Sequence, residues 1–338
     1  MKIGSVILTI LLSMSLLFVS TTMAQDEELD VVKVVYSSYH SFSFIDIGIQ
    51  EGYFADQNIE IEKVSLTNPS DGALLLIQGD VDVLPTQITS GIVNAMLRSD
   101  DLKIVGNMTY LNPERCNHMS FLIADMGEDT IQSVEELAGT TIVVTNGVTE
   151  YILEQVLNTG GLTLDDVTLT IIPPPARIDA VKEGSVSMIH MPEPWLTRSL
   201  NSGLLDFAPN LDYAPNIQLA VLMYGSSLNS NPDLGKRFMV AATQALRQFN
   251  DAASERNVEI VSEALGYEPE FLEEICWQYM GQDGVEDVLP LQPYVDWLYE
   301  RDQIDEPIQI GDYYDTTYVD YANEVLGPYE EPDLEAGD

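Results

Sequence analysis

Apolar and polar positions along this chain switch repeatedly between a period of two and a period near 3.6, and the switches mark a strand–helix succession. Val31-Val-Lys-Val-Val-Tyr36 is a β-branched run suited to a buried strand, and residues 42–51 continue with helical spacing up to Gly52. Residues 59–66 predict a second strand. Ser70 is placed to cap a helix over 71–78 that Gly79 ends, since a serine oxygen accepts from free N–H groups and glycine takes a left-handed turn readily. A strand at 81–85, a helix at 88–98 and a strand at 103–108 complete one half.

The plan then repeats. Residues 119–124 predict a strand, and Ser133-Val-Glu-Glu136 reads as a capping box opening a helix that stops at Gly139. Strands at 140–145 and 167–172 flank a helix at 149–159. Pro173-Pro-Pro175 predicts an extended loop before a helix at 177–183, because proline lacks the amide proton a helix interior uses. Residues 186–190, 195–202 and 204–207 follow, and 217–224 matches 119–124 in length and character. Beyond Asn231-Pro-Asp233 the pattern turns helical, over 234–250, 255–265, 269–280 and 293–301.

Such alternation predicts parallel sheets with crossover helices, here in two α/β halves. Open parallel sheets bind ligands beyond the carboxyl ends of their strands, where helix N-termini also point. Five loops qualify: 36–41, 67–71, 85–89, 145–150 and 191–195. Tyr36, Tyr39 and Trp195 offer flat ring faces, and Ser38, Asn68, Thr86, Gln87 and Asn146 offer hydroxyl or amide edges. Backbone N–H groups at Ser70 and Thr149 are placed to hold a negative atom. Asp71 and Glu150 add carboxylates, and Glu193, between two prolines, is the sharpest candidate to accept from an amine or ring N–H. Tyr224 is expected on the hinge side of the cleft. A helix-capping role is the competing reading for each hydroxyl and amide residue.

A set of motifs occurs in order: Gly48-Ile-Gln-Glu-Gly-Tyr-Phe-Ala55, Ile59-Glu-Ile-Glu62, Gln78-Gly-Asp-Val-Asp82, Glu136-Leu-Ala-Gly139, Gly161-Leu-Thr-Leu-Asp-Asp-Val167 and Gly184-Ser-Val-Ser-Met-Ile-His-Met-Pro-Glu-Pro194. Over residues 31–265 this resembles the ABC-transporter solute-binding proteins for nitrate, alkanesulfonates, taurine and thiamine-pyrimidine precursors. The resemblance implies a type II periplasmic-binding-protein fold, two doubly wound α/β lobes joined by two crossing strands. The crossings are expected near 116–121 and 219–224. Lobe one would then comprise 31–115 plus 225–326, lobe two 116–224, and 327–338 a disordered acidic tail. It further implies a monomer that delivers a small molecule to an ABC permease and its ATPase, without a cofactor. An enzyme branch related to this family makes the thiamine pyrimidine, but its cysteine-dense motif is missing from this chain. A sensing role beside a membrane receptor stays open, and so does binding of a small anion.

Composition narrows the class. Lys2 precedes an apolar run at 6–19, and Thr22-Met-Ala24 places small residues where signal peptidase cuts, so residues 1–24 are expected to be a cleaved export signal. The chain carries 14 Lys+Arg against 55 Asp+Glu, a net charge of −41, which repels nucleic acid and anionic lipid. Cys116 and Cys276 lie 160 positions apart; nothing in that spacing demands pairing, and two buried thiols are the expectation. His40, His118 and His190 have no zinc-ligand spacing. Since no Lys or Arg lies in the five loops while Asp71, Glu150 and Glu193 do, a neutral or weakly cationic heteroaromatic ligand is expected over a sulfonate or nitrate.

Overall fold

The computed structural model describes residues 28–66, 71–110, 116–145, 147–207, 218–281 and 291–329. The expected signal peptide, with Asn68, Ser70, Asn146 and most of the expected tail, lies outside them. In the first segment, strands β1 (Asp30–Val35), β2 (Ile59–Val64), β3 (Val83–Thr86) and β4 (Lys103–Tyr110) alternate with helices α1 (Ser43–Gln50), α2 (Tyr53–Asp56), α3 (Gly72–Gln78) and α4 (Ser90–Met96). The middle segment holds β5 (Met119–Ala124), β6 (Thr141–Val143), α5 (Val148–Thr159), β7 (Thr168–Thr170), α6 (Pro174–Lys182), β8 (Met188–Pro192), α7 (Trp195–Asn201) and β9 (Leu204–Asp206). The chain closes with β10 (Gln218–Tyr224), α8 (Ser226–Asn229), α9 (Pro232–Phe249), α10 (Glu255–Leu265), α11 (Pro269–Glu274), α12 (Leu291–Glu300) and α13 (Thr317–Leu326).

These strands form two five-stranded sheets, ordered β2-β1-β3-β10-β4 and β7-β6-β8-β5-β9. β1 pairs parallel with β2 and β3, and β10 runs antiparallel between β3 and β4. In the second sheet β6 is parallel to β7 and β8, whereas β5 runs antiparallel to β8 and β9. In valine-rich β1, Val32, Val34 and Val35 are buried, as befits a strand inside the sheet, while Val31 at its start is exposed. β10 lies wholly in the first sheet. Residues 219–224, expected at a crossing and in lobe two, therefore pair with lobe-one strands.

Alternate residues of β10 feed different cores. Ala220, Leu222 and Tyr224 pack with α1 and α9, while Val221 and Met223 face a core shared with α3, α4 and α12. Tyr224 is fully buried, donates to the Gly235 carbonyl at 2.9 Å and lies edge-on to Tyr318 and Phe238. Strand parity therefore directs it into the lobe-one core and away from the cleft where it was expected.

Other expectations shift as well. Pro174 and Pro175 form the first turn of α6, where a missing N–H costs nothing. Ser133 makes no capping bond, and the expected helix is a single 3-10 turn, Val134–Leu137. Residues 327–329 are fastened to α9, with Arg247 donating to the Gly327 carbonyl at 2.9 Å and lying over the Tyr329 ring. Cys116 and Cys276 are joined as a disulfide, their Cα atoms 5.8 Å apart. The pairing ties the segment entering lobe two to the stretch after α11, against the expectation of buried thiols.

Candidate functional site

The carboxyl ends of β1, β2, β3, β6 and β8 lead into the five loops that sequence singled out. After β1, the Tyr36 phenol donates to Asp46 Oδ2 at 2.7 Å, and Lys63 pairs with that carboxylate while lying 4.2 Å over the Tyr36 ring. Burial first, then the Asp46 acceptor, hold the phenol pKa far above its ordinary value. Its hydroxyl is thus committed within lobe one. Ser38 and Tyr39 are exposed beyond it. His40 turns inward, fully buried, its ring edge-on to Trp277 at 4.4 Å and near Phe249 at 5.1 Å.

Among the described residues neither nitrogen of His40 has a hydrogen-bond partner, and the same holds for His190 on β8. His118, in the segment leading to β5, interacts electrostatically with both. All three histidines of the chain therefore converge at the lobe junction. Burial is the main cause lowering their pKa values, to about 3 for His40, about 4 for His118 and about 3 for His190. Among the described residues no group of His, Cys, Asp and Glu is arranged to hold a metal ion.

The polar candidates divide. The Thr86 hydroxyl donates to the Gln87 carbonyl at 3.1 Å, and Gln87 is half-buried beside it. Thr149 is buried and its hydroxyl bonds both the Thr145 carbonyl and the Thr145 N–H, so it shapes the loop after β6. Asp71 is exposed at the start of α3, without a capping bond to that helix. Glu193 follows β8 through a cis peptide bond to Pro194 and is 6% exposed. Its carboxylate accepts from the Thr197 hydroxyl at 2.7 Å, the Thr197 N–H at 3.1 Å and the Cys276 N–H at 3.2 Å. Burial raises its pKa and these donors oppose the rise. Most of its accepting capacity is spent inside the protein, which reduces what it offers to a ligand amine. A depression of about 400 Å³ opens beside it, lined also by Cys116, Asn117, Thr197, Cys276 and Trp277.

Two groups absent from the five loops stand at the same edge. Arg177, from α6, is 3% exposed and donates to the Ile172 carbonyl at 2.6 Å, the His190 carbonyl at 2.6 Å and the Thr145 hydroxyl at 3.3 Å. The acceptors follow β7 and β6 and sit on β8. Arg198, from α7, lies over the rings of Trp195, Tyr267 and Phe271 at 5.0, 5.2 and 4.8 Å. Arg177 was legible in principle, because the loop after β7 is a sixth strand end of the same kind. Tyr267 and Phe271 had no such signal, since they arrive from distant helices of lobe one.

The lobes touch along two rims. On one, Arg198 sits in its aromatic box and Asn201 donates to Glu274 at 3.0 Å. On the other, Glu154 of α5 accepts from Trp297 and pairs with Arg301, while Tyr151 meets the rings of Tyr294 and Trp297, each at 5.7 Å. A Cβ on Gly147 would lie 2.8 Å from the Tyr294 hydroxyl oxygen, so glycine permits that close approach. Between the rims, Arg177 of one lobe interacts electrostatically with Tyr39 of the other, and His118 with both His40 and His190.

The family model described as NMT1/THI5 like matches residues 39–251, more than half of the chain. A formylaminopyrimidine-binding protein from Halalkalibacterium halodurans is 29% identical over 143 residues. That alignment spans 42% of this chain and 40% of the relative. Among solved structures, the ligand-binding component of an ABC-type import system from Staphylococcus aureus, solved with zinc bound, has a TM-score of 0.70 at 14% identity. It covers 87% of this chain and 99% of that one. The periplasmic aliphatic sulphonate-binding protein SsuA from Escherichia coli has a TM-score of 0.68 at 15% identity, covering 84% and 92%. The desulfurization enzyme DSZB has a TM-score of 0.66 at 14% identity, covering 88% and 100%. At such identities the likeness establishes the fold, the two-lobed architecture of periplasmic binding proteins, which binders and an enzyme share.

Proposed function

The chain belongs to the NMT1/THI5-like family, and from that premise we propose that it is an exported solute-binding protein that captures a small heteroaromatic molecule between its lobes for an ABC importer. The observation that carries this reading is the pair of rims, which bracket strand-end loops bearing the ring faces of Tyr36, Tyr39 and Trp195. Aromatic faces in a cleft favour a flat ring over a compact ion. The pyrimidine named in the Halalkalibacterium halodurans relative agrees with that preference. The Cys116–Cys276 disulfide supports an oxidising, extracytoplasmic compartment, as does the expected signal peptide. Among the described residues no helix is long and apolar enough to cross a membrane.

Capture works as a population shift. A ligand touching both lobes binds only the closed state well, so it favours closure by its differential affinity. The importer then reads the surface that closure creates. A second reading, a ligand bearing an anionic oxygen, is favoured by Arg177 at the same edge. Calorimetry with aminopyrimidines, other vitamin-like heterocycles, taurine and nitrate tests the choice. We expect binding by the ring compounds and none by nitrate. Tight binding of taurine alone would overturn the heteroaromatic reading.

A further inference from the structure

Arg177 differs from the other described arginines in being buried. Arg98, Arg237, Arg256 and Arg301 each pair with a carboxylate, Arg198 lies against three rings, and the half-buried Arg247 donates to Asn323 and the Gly327 carbonyl. Arg177 is the most deeply buried of these, yet its three acceptors are all neutral oxygens. In a chain with 55 Asp+Glu against 14 Lys+Arg, an acid partner is easily supplied, yet among the described residues this position has none. A buried guanidinium left without a counter-charge is costly, because neutral acceptors replace only part of its hydration. Three of its five N–H groups are used, which leaves two for another acceptor. Tyr39 of lobe one interacts with it electrostatically, so the guanidinium lies on the side of lobe two that faces lobe one.

We propose that Arg177 is the specificity group of lobe two: as the lobes close, it receives an oxygen of the ligand, anionic or carbonyl. This rests on the solute-binding role above but not on the ligand being a ring. It gives the ligand an orientation, with its oxygen toward α6 and any flat face toward Tyr36 and Tyr39. It also overrides the charge argument drawn from the five loops, since the cation comes from helix α6, beyond a sixth strand end. Two of the three carboxylates placed against an anion are weakened in that role. Glu193 is occupied by protein donors, and burial raises the pKa of Glu150.

The test compares probe pairs on the full chain and on Arg177→Gln, by calorimetry. The probes are an aminopyrimidine bearing a formyl group, the same ring without it, methanesulfonate and formate. We expect the substitution to weaken every oxygen-bearing probe that the wild type binds by at least tenfold. The oxygen-free ring should change less than twofold. Parallel losses for both rings would make Arg177 a structural pin and overturn the proposal. Unchanged affinity for the oxygen-bearing probes would overturn it as well, and so would a wild-type protein that takes none of the four. Should methanesulfonate bind and no ring bind, the heteroaromatic reading fails while the Arg177 assignment stands or falls on its own tenfold loss. Thermal melts verify folding. If Arg177→Gln does not fold, Arg177→Lys carries the test: it keeps the charge and loses the fork, and we expect at least a threefold loss confined to oxygen-bearing probes.

Discussion

Glu193 shows how a residue picked out for recognition can be held for another reason. Its carboxylate takes one donor from the Cys276 backbone and two from Thr197, so it joins the start of α7 to the disulfide. An amide in its place would turn an NH₂ toward one of those donors, leaving a buried N–H without an acceptor. Losing a charged hydrogen bond there costs about 1–3 kcal/mol. We therefore expect Glu193→Gln to lower the melting temperature of the unliganded protein by several degrees. A variant that melts with the wild type while losing ligand affinity would return Glu193 to direct recognition.

At the scale of elements, α12 is the part that couples the lobes. The stretch following it is bound to lobe one: Asn94 donates to the Gln303 carbonyl at 3.2 Å, Arg98 pairs with Asp305, and the Asp315 N–H donates to the Ile104 carbonyl at 2.8 Å. Its other face meets α5 of lobe two through Glu154, Tyr151 and Gly147. Arg301 is one-third exposed, so solvent weakens its pair with Glu154, and we assign the contact about 1–2 kcal/mol. Glu154→Gln should shift the unliganded protein toward open lobes, seen as a larger radius of gyration in X-ray scattering and a modest fall in melting temperature. An unchanged scattering profile would mean that the α5–α12 contact does not hold the lobes together. Sequence displayed α12 as an amphipathic helix at nearly its true bounds, but helical periodicity identifies a buried face without naming what covers it.

For the whole molecule, the three histidines set a pH response. Burial holds each neutral in the fold, with pKa values of about 3 to about 4 where 6.5 is ordinary, and Arg177 adds to the effect at His190. The unfolded chain thus takes up protons that the folded chain refuses. Stability is fully present above pH 6.5 and declines as the pH falls toward 4, by about 1.4 kcal/mol per pH unit for each histidine. We expect the melting temperature to drop between pH 7 and pH 5 at fixed ionic strength, where carboxylates with ordinary pKa values are still ionised. His40→Gln should make the decline shallower. A melting temperature independent of pH over that range would show that the imidazoles gain protons as easily folded as unfolded.

By itself the sequence determined the alternation of strands and helices, the two-half plan, and the edge where a ligand would lie. Those features are written in periods of two and 3.6 and in stops such as Gly79, all within a few residues of one another. It also carried the ordered motifs that mark the family. Only the tertiary structure decided that Cys116 meets Cys276, that Tyr224 faces the core, and that Arg177 and three histidines reach the lobe junction. It likewise decided that Tyr267 and Phe271 enclose Arg198 across the cleft. Each of these depends on register and on the packing of elements far apart in the chain. No local pattern encodes a contact between residues 160 positions apart; it arises from many weak contacts that are satisfied together only in the folded molecule.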